Sequence, residues 1–218
     1  MFTGLIQDIG KIQSVGRKGG GLSLLISTRG GLKSAKIGDS IAVDGVCLTI
    51  VQVSGRSFTV EVSPETIQRT TLSIAREGQP VNLETALKMS DPLGGHLVAG
   101  HVDGTGEIIE IVPEGNSRRY RFRVPREIGH YLIEKGSVAV DGISLTVAEC
   151  GEEEFSVSVI PHTEAATTLG KKKAGDRVNV ENDLIAKYVE KFVRQEGRML
   201  KKNSRIDESF LAEHGFTK

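Results

Sequence analysis

Apolar residues along this chain fall in short alternating runs, and glycine-containing turns separate the runs. In the first half the runs cover residues 22–27, 40–43, 47–53 and 58–62. In the second half they cover residues 120–124, 137–140, 144–148 and 155–160. Alternating or β-branched runs of this length are typical of strands that bury one face. We therefore predict an all-β core built from short strands.

An Asp-Gly dipeptide separates two of the runs in each half, at Asp44-Gly45 and at Asp141-Gly142. This dipeptide favours a type I′ hairpin turn, because both central residues of that turn need a positive φ. We assign the dipeptide a structural role.

The two halves of the chain are copies of one domain. Residues 40–49 read SIAVDGVCLT and residues 137–146 read SVAVDGISLT, so seven of ten positions are identical at a spacing of 97. A period this long indicates a duplicated domain, because solenoid repeats span only ~20 to 50 residues.

We place the first domain at residues 1–96 and the second at residues 97–186, with a tail at residues 187–218. Six short strands around one small core are predicted in each domain. Such a sheet is expected to close into a barrel, since closure removes the exposed edges that an open sheet would present.

From Leu184 onward the apolar spacing becomes helical. Apolar residues lie at positions 184, 185, 188, 189, 192 and 193, which is the spacing of an amphipathic α-helix. Asp183 stands just before them as a candidate N-cap, and residues 207–214 are predicted to form one further short helix. The apolar stripe can pack on the chain's own barrel or associate with other copies, and the sequence leaves both open.

Charge and composition narrow the classes of partner. Lysine and arginine number 28, and aspartate and glutamate also number 28, so nucleic acid and anionic membranes are not expected partners. No apolar run approaches the ~20 residues that span a bilayer. Residues 1–4 lack the features of a signal peptide, and two cysteines are too few for a disulfide framework. We expect a reduced, cytoplasmic protein.

Two histidines, His96 and His101, lie in the glycine-rich run at residues 94–104. Their spacing is not that of a helical zinc pair, so no metal site is expected. An odd separation would place them on opposite faces of a strand. Either is a candidate general acid or base, because histidine titrates near neutral pH. A turn histidine bonded to the backbone remains the alternative.

Cys47 in the first copy and Ser144 in the second occupy the same position of the matched block. A buried core cysteine is the ordinary explanation, because free cysteine is among the most buried residue types. The other explanation is an enzyme with two similar pockets, in which a thiol and a hydroxyl treat two similar substrates differently.

Five segments stand out in order along both copies: MFTGLIQDIGKI, DGVCLT, GGHLVAGHVDGTGEI, DGISLT and TTLGKKKAGDRVNVE. Together they resemble the riboflavin synthase family of lumazine-binding-repeat proteins. The resemblance implies a cofactor-free transfer of a four-carbon unit between two molecules of 6,7-dimethyl-8-ribityllumazine. The expected products are riboflavin and 5-amino-6-ribitylaminouracil. Lumazine proteins, which hold a chromophore without turning it over, look similar and remain the alternative.

The resemblance also implies an architecture. Each copy is expected to be a six-stranded Greek-key β-barrel, and the C-terminal α-helix is expected to assemble a homotrimer. The active site is then expected between the first barrel of one chain and the second barrel of a neighbour. Lumazine synthase stays open as a further partner.

The family's site positions carry over to two sets of residues and a group of chemical candidates. The first-copy pocket falls on Gly4, Leu5, Ile6, Cys47, Leu48, Thr49, Glu61, Val62, Ser63, Pro64, Glu65 and Thr66. The second-copy pocket falls on Gly100, His101, Val102, Lys135, Ser144, Leu145, Thr146, Ile160, Pro161, His162, Thr163, Glu164 and Ala165. Roles in or near the chemistry are implied for Ser40, Cys47, His101, Ser144, Thr146 and Asp183, with Phe2 and His96 close by.

The two sets differ after the shared proline, where residues 64–66 read Pro-Glu-Thr and residues 161–163 read Pro-His-Thr. The sequence leaves the effect of this difference on the polar contacts of the second pocket open. The sequence does not decide which copy holds the donor. It also leaves open whether the nucleophile at C7 is water or a side chain, with Ser144 and Cys47 as the candidates.

Overall fold

The computed structural model describes residues 1–30, 35–203 and 208–216, with side chains for residues 1–30, 35–194 and 210–216. The described residues form twelve β-strands and five α-helices. In the first copy these are β1 Asp8–Lys18, β2 Gly21–Ser27, β3 Ser40–Val43, β4 Val46–Ser54, β5 Ser57–Val62, α1 Pro64–Arg69 and β6 Pro80–Thr85. In the second copy they are β7 Gly104–Glu114, β8 Ser117–Arg123, α2 Arg126–Gly129, β9 Ser137–Val140, β10 Ile143–Cys150, β11 Glu154–Val159, α3 Pro161–Ala166 and β12 Arg177–Asn182. α4 Leu184–Asn203 and α5 Glu208–Glu213 follow.

The strands close into two antiparallel barrels, which confirms the predicted fold class. The first barrel has the order β1-β2-β5-β4-β3-β6 and the second has the equivalent order β7-β8-β11-β10-β9-β12. In each barrel three consecutive strands are followed by a return connection, which is the arrangement of a Greek key. Each of the eight predicted runs corresponds to an observed strand, while β1, β6, β7 and β12 were not individually predicted.

Bulges recur at matching places in the two barrels. The register shifts between Ile12 and Ser14 in β1 and at the equivalent place in β7, and it shifts in β4 and again in β10. A bulge bends a strand and increases its twist, which helps a six-stranded sheet to close. Apolar side chains then fill each barrel, and the second barrel adds the stacked pair Phe122 and Phe155, with ring centroids 4.9 Å apart.

The two Asp-Gly turns have the predicted conformation, since φ is 45° and 78° at Asp44 and Gly45 and 46° and 77° at Asp141 and Gly142. The two turns also contact each other at the interface between the barrels. A Cβ atom on Gly45 would lie 2.6 Å from the backbone nitrogen of Gly142. Only glycine permits this approach, so the dipeptide shapes the barrel interface as well as the hairpin.

Asparagine side chains complete this interface with a symmetric set of hydrogen bonds. Asn82 Nδ2 donates to the carbonyl of Asp141 at 3.0 Å, and Asn179 Nδ2 donates to the carbonyl of Asp44 at 2.8 Å. The Oδ1 atom of each asparagine accepts a backbone N–H from the opposite copy at 2.8 Å. Matching bonds of this kind relate the barrels by a local two-fold axis.

The described residues of the segment 184–218 form a compact unit of their own. The predicted amphipathic helix is confirmed as α4, and several of its apolar side chains are exposed, namely Ile185, Tyr188, Val189, Phe192 and Val193. The second predicted helix corresponds to α5, while Asp207 lies outside the described residues. Within the described ranges, no helix has both the length and the apolar character needed to cross a membrane.

Candidate active site

The segment before each barrel, residues 3–6 before the first and residues 99–102 before the second, crosses to the other barrel. We call these two the crossing segments. The Gly4 carbonyl accepts a hydrogen bond from the backbone N–H of Ser144 in β10 at 2.8 Å. In the same way, the Gly100 carbonyl accepts a hydrogen bond from the backbone N–H of Cys47 in β4 at 2.9 Å. The predicted grouping of Gly4 with Cys47 and of Gly100 with Ser144 is therefore wrong. The repeat matches Gly4 with Gly100 but carries no signal for which barrel each segment covers.

Both crossing points require glycine. Gly4 and Gly100 have φ values of 77° and 81°, which L-residues with a side chain rarely adopt. A Cβ atom on Gly4 would lie 2.5 Å from Cβ of Ser144, and one on Gly100 would lie 2.5 Å from Cβ of Cys47. The backbone thus lies directly on the two residues that differ in chemistry between the copies.

Ser144 is hydrogen-bonded to His96. The distance from His96 Nδ1 to Ser144 Oγ is 2.7 Å, and the backbone N–H of His96 donates to the carbonyl of Thr3 at 3.2 Å. His96 is buried, and no partner among the described residues hydrogen-bonds to its buried Nε2 atom. Burial lowers the pKa of His96, and Asp183 opposes this shift. Burial therefore favours a neutral imidazole beside the Ser144 hydroxyl.

Cys47 is half-buried and has a different neighbourhood from Ser144. It packs on a small cluster between the barrels that contains Phe2 and Val98, and it lies opposite Ala42 in the β3–β4 ladder. The Ser144 hydroxyl thus lies against a histidine, whereas Cys47 lies against apolar side chains.

The other chemical candidates differ in exposure; they are His101, Thr146, Ser40 and Asp183. His101 and Thr146 are exposed, while Ser40 and Asp183 are half-buried. Ser40 pairs with Thr49 across the β3–β4 ladder, and it lines a cavity of about 200 Å³. The structure thus brings Ser144 and His96 into contact, and Asp183 lies close enough to act on the pKa of His96.

Lys135 has an unusual backbone conformation. Its φ is 64°, whereas the first copy has Gly38 at this position with a φ of 92°. Holding a non-glycine residue in the left-handed region costs free energy, and such residues concentrate at functional sites. This conformation supports the expectation that the exposed Lys135 side chain has a role.

The loop after β11 differs from the loop after β5 in its polar contacts. Ser63 caps α1 by accepting from the backbone N–H of Thr66 at 3.2 Å, while Ile160 at the same place gives α3 no side-chain cap. Glu164 replaces Ile67 and accepts a hydrogen bond from the hydroxyl of Tyr120.

Arg118 lies 3.4 Å from Glu164 and adds a cation to this contact. Burial and the hydrogen bond to Glu164 raise the pKa of the Tyr120 hydroxyl. The second copy thus replaces an apolar contact with a polar one, which anchors α3 to β8.

The remaining predicted positions range from buried to exposed. Leu48 and Val62 are buried in the first barrel, and Ile6, Thr66, Val102, Leu145 and Thr163 are half-buried. The exposed ones are Leu5, Thr49, Glu61, Ser63, Pro64, Glu65, Ile160, Pro161, His162 and Ala165. In the part of the chain that the structure describes, no three histidine, cysteine or acidic side chains cluster as a metal site would require.

Two buried acids at the site were not predicted. Glu84 in β6 and Glu181 in β12 are 2% and 5% exposed and hydrogen-bond to the crossing segments. The signal was available, because both acids interrupt apolar strands at matching positions of the repeat, and buried charges need partners.

Two lumazine binding domains match the chain, at residues 3–86 and 99–183. Riboflavin synthase of Actinobacillus pleuropneumoniae is 45% identical over 217 residues, which cover 99% of this chain and 100% of the relative. The chain belongs to the riboflavin synthase family.

Other members of the family align over the same length. Riboflavin synthase of Bacillus subtilis is 40% identical over 99% of this chain and 100% of its own. The fold also matches the crystal structure of LumP complexed with 6,7-dimethyl-8-(1′-D-ribityl) lumazine, with a TM-score of 0.75 and 22% identity over 84% of this chain and 99% of that one. The LumP complex with riboflavin gives a TM-score of 0.78 at 23% identity, again over 84% of this chain and 99% of that one.

Proposed function

We infer that this chain is a riboflavin synthase, an enzyme that transfers a four-carbon unit between two molecules of 6,7-dimethyl-8-ribityllumazine. The observation that carries this inference is the 45% identity to a riboflavin synthase over the whole length of both chains. The products are riboflavin and 5-amino-6-ribitylaminouracil. Two similar barrels suit this reaction, because its two substrates are identical molecules.

The chemistry needs a proton acceptor and close positioning. The C7 methyl group of the lumazine is acidic because its anion delocalises into the ring system, and the resulting carbanion attacks C6 of the second molecule. Holding two reactants in a fixed relative orientation contributes on the order of 7–11 kcal/mol in ideal cases. Proximity is therefore a large part of the proposed catalysis.

Ser144 and His96 are the groups that we assign to the donor's C7 position. The 2.7 Å contact between Nδ1 and Oγ supports this assignment, because a neutral imidazole can accept the serine proton as the oxygen adds to C7. The lowered pKa of His96 keeps the ring neutral and ready to accept that proton. The Cys47 side then holds the acceptor molecule. His101 receives the methyl proton, with Ser40, Thr146 and Asp183 as further polar groups near the chemistry.

The crossed segments define the pockets that we propose. Residues 4–6 cover the second barrel beside Ser144, and residues 100–102 cover the first barrel beside Cys47. The loops at residues 61–66 and 160–165 form the rims, and Lys135 projects beside the second pocket.

We propose that three chains assemble through α4 and that each active site forms between the first barrel of one chain and the second barrel of another. The exposed apolar side chains of α4 support this, because contiguous exposed apolar surface is typical of an association surface. We also propose a cytoplasmic location, in keeping with the free state of Cys47 and Cys150, and lumazine synthase as a further partner.

Turnover of the lumazine tests the proposed function. The purified chain is incubated with 6,7-dimethyl-8-ribityllumazine, and riboflavin is followed by its absorbance. One riboflavin should form for every two lumazines consumed, without added metal or cofactor. Tight binding of the lumazine with no riboflavin formed would instead make the chain a chromophore carrier, the alternative function expected from the sequence.

A further inference from the structure

Two buried glutamates hold the crossing segments in place. Glu84 in β6 and Glu181 in β12 occupy the same position of the two copies, 97 residues apart. A buried carboxylate is costly unless hydrogen bonds satisfy its oxygens. Their partners therefore indicate what the two acids do.

Both carboxylates accept hydrogen bonds from backbone N–H groups of a crossing segment. Glu84 Oε1 accepts from the Thr3 N–H at 2.6 Å and from the Thr3 hydroxyl at 2.7 Å, and Oε2 accepts from the Gly4 N–H at 3.0 Å. Glu181 Oε1 accepts from the Ala99 N–H at 2.7 Å, and Oε2 accepts from the Gly100 N–H at 3.0 Å. Bonds to an ionised acceptor are about twice as strong as neutral ones.

We call each glutamate, together with the hydrogen bonds that it accepts from a crossing segment, a clamp. The glutamate of each clamp belongs to one barrel, and the segment that it holds contacts the other barrel. Glu84 is part of the first barrel, yet the segment that it holds presents its carbonyls to His96 and Ser144 of the second candidate pocket. Glu181 is part of the second barrel, yet the Gly100 carbonyl that follows its clamp accepts from Cys47 in the first barrel.

We propose that Glu84 and Glu181 are positioning residues that act across the barrel interface, Glu84 on the Ser144–His96 pair and Glu181 on Cys47. The proposal rests on the proposed function for the roles of those three residues. It assigns each half of the chain a part in building the pocket of the other half. The duplication then provides two pockets whose geometry is mutually dependent.

Glutamine variants isolate this role. Glu84→Gln and Glu181→Gln keep the side-chain shape but replace one carboxylate oxygen by an NH2 donor. In each clamp, two backbone N–H donors face the two oxygens, so one of them loses its acceptor. Glu110→Gln is the matched control, because Glu110 is a half-exposed acid of β7 whose side chain lies 3.6 Å from Arg121.

The full-length variants are compared by two probes that need no turnover. His96 is titrated by NMR, and Cys47 is alkylated with iodoacetamide, with the modified cysteine identified by mass spectrometry. We expect Glu84→Gln to shift the His96 titration and leave Cys47 alkylation unchanged. We expect Glu181→Gln to change the Cys47 alkylation rate about tenfold, as for one lost hydrogen bond to a charged group, and to leave His96 unchanged.

Both variants should also lower kcat/KM about tenfold, while the control stays near the parent. The proposal would be overturned if the His96 titration responded to Glu181→Gln and Cys47 alkylation responded to Glu84→Gln. It would also be overturned if both probes responded equally to both variants, or to neither. If Glu84→Gln does not fold, Thr3→Val removes one of the three donors and should shift His96 alone. A parent chain that makes no riboflavin but gives the crossed responses would refute the proposed function and retain the clamps.

Discussion

Phe2 forms an antiparallel bridge with Val98, which is its own counterpart in the second copy. The Phe2 N–H donates to the Val98 carbonyl at 2.7 Å, and the Val98 N–H donates to the Phe2 carbonyl at 3.1 Å. Both side chains are buried. A residue that pairs with its own counterpart lies on the local two-fold axis. Each half of the chain could therefore make the same bridge with a second copy of itself.

The first prediction is that residues 1–96 alone form a homodimer that binds riboflavin. Phe2 of each copy should bridge Phe2 of the other, and Gly4 of each copy should cover Cys47 of the other, as Gly100 does in the whole chain. In a monomeric fragment the backbone N–H of Cys47 would lose its acceptor, because residue 100 is not part of the fragment. Light scattering gives the mass, and flavin fluorescence gives the binding. The dimer should be a poor enzyme, because it lacks Ser144 and His101.

Removing residues 1–6 from this fragment is the control, and it should abolish both dimer formation and binding. A monomeric fragment that binds riboflavin as well as the dimer would show that the first pocket is self-contained. In that case the crossing would have no part in ligand binding.

The fold was largely predictable because its signals are local. The matched blocks at residues 40–49 and 137–146 revealed the duplication, and the Asp-Gly turns fixed two hairpins. The strands that close each barrel were harder to locate. β1 contains Gly10 and a bulge after Ile12, and β6 begins at a proline, so neither has a clean alternation of buried and exposed residues.

The site was only partly predictable, because its geometry depends on contacts between distant residues. Cys47 and Ser144 stood out as the chemical difference between the copies. The crossing of the segments depends on the bridge from Phe2 to Val98, which no local pattern encodes. The contact of His96 with Ser144 depends on that crossing, since the Thr3 carbonyl holds the His96 N–H.

The second prediction concerns the thiol. Cys47→Ser should keep activity within about tenfold of the parent, because serine is the natural residue at the matching position 144. Cys47→Ala should lower kcat about a hundredfold, the scale of misplacing a bound reactant, because it removes the side chain beside the acceptor molecule. Steady-state rates with the lumazine distinguish the two variants. Cys150→Ser is the control and should be unchanged, since Cys150 packs against the core of the second barrel and its thiol donates to the Leu132 carbonyl at 3.5 Å. Equal rates for the two Cys47 variants would make this thiol a packing residue.

The third prediction concerns the helix. A chain that ends at residue 186 should stay folded but become monomeric with very low activity, because the exposed apolar face of α4 is lost and the shared site cannot form. Within the full chain, Val189→Asp should weaken assembly and Lys191→Ala should not, since only the first residue belongs to the apolar stripe. Sedimentation and turnover report both effects. A truncated monomer with full activity would exclude a site shared between chains.

The last prediction concerns a buried acid pair at the barrel interface. Asp44 and Asp141 are equivalent residues, each of which accepts a backbone hydrogen bond from an asparagine at 2.7 Å. Lys172 lies 2.9 Å from Asp141, whereas the first copy has Ala75 at that position. Burial alone would lower the pKa of Lys172, but the two carboxylates outweigh it and the pKa is raised. Burial, and then repulsion from Asp141, raise the pKa of Asp44 to about 8.

A raised folded-state pKa means that Asp44 favours folding when it is protonated. Its contribution is complete below about pH 4, where the unfolded chain is also protonated, and it is lost as the pH rises through about 8.

Asp44→Asn keeps the acceptor for Asn82 and cannot ionise. Its Tm should therefore exceed that of the parent by about 5 °C or more near pH 9, and the gap should close as the pH falls toward 5. Asp141→Asn, the matched control, should lower the Tm at every pH in this range, because it removes the carboxylate that lies 2.9 Å from the half-buried Lys172 ammonium. Scanning calorimetry over this pH range decides the matter, and an Asp44→Asn variant that follows the parent throughout would show that Asp44 is ionised in the folded chain.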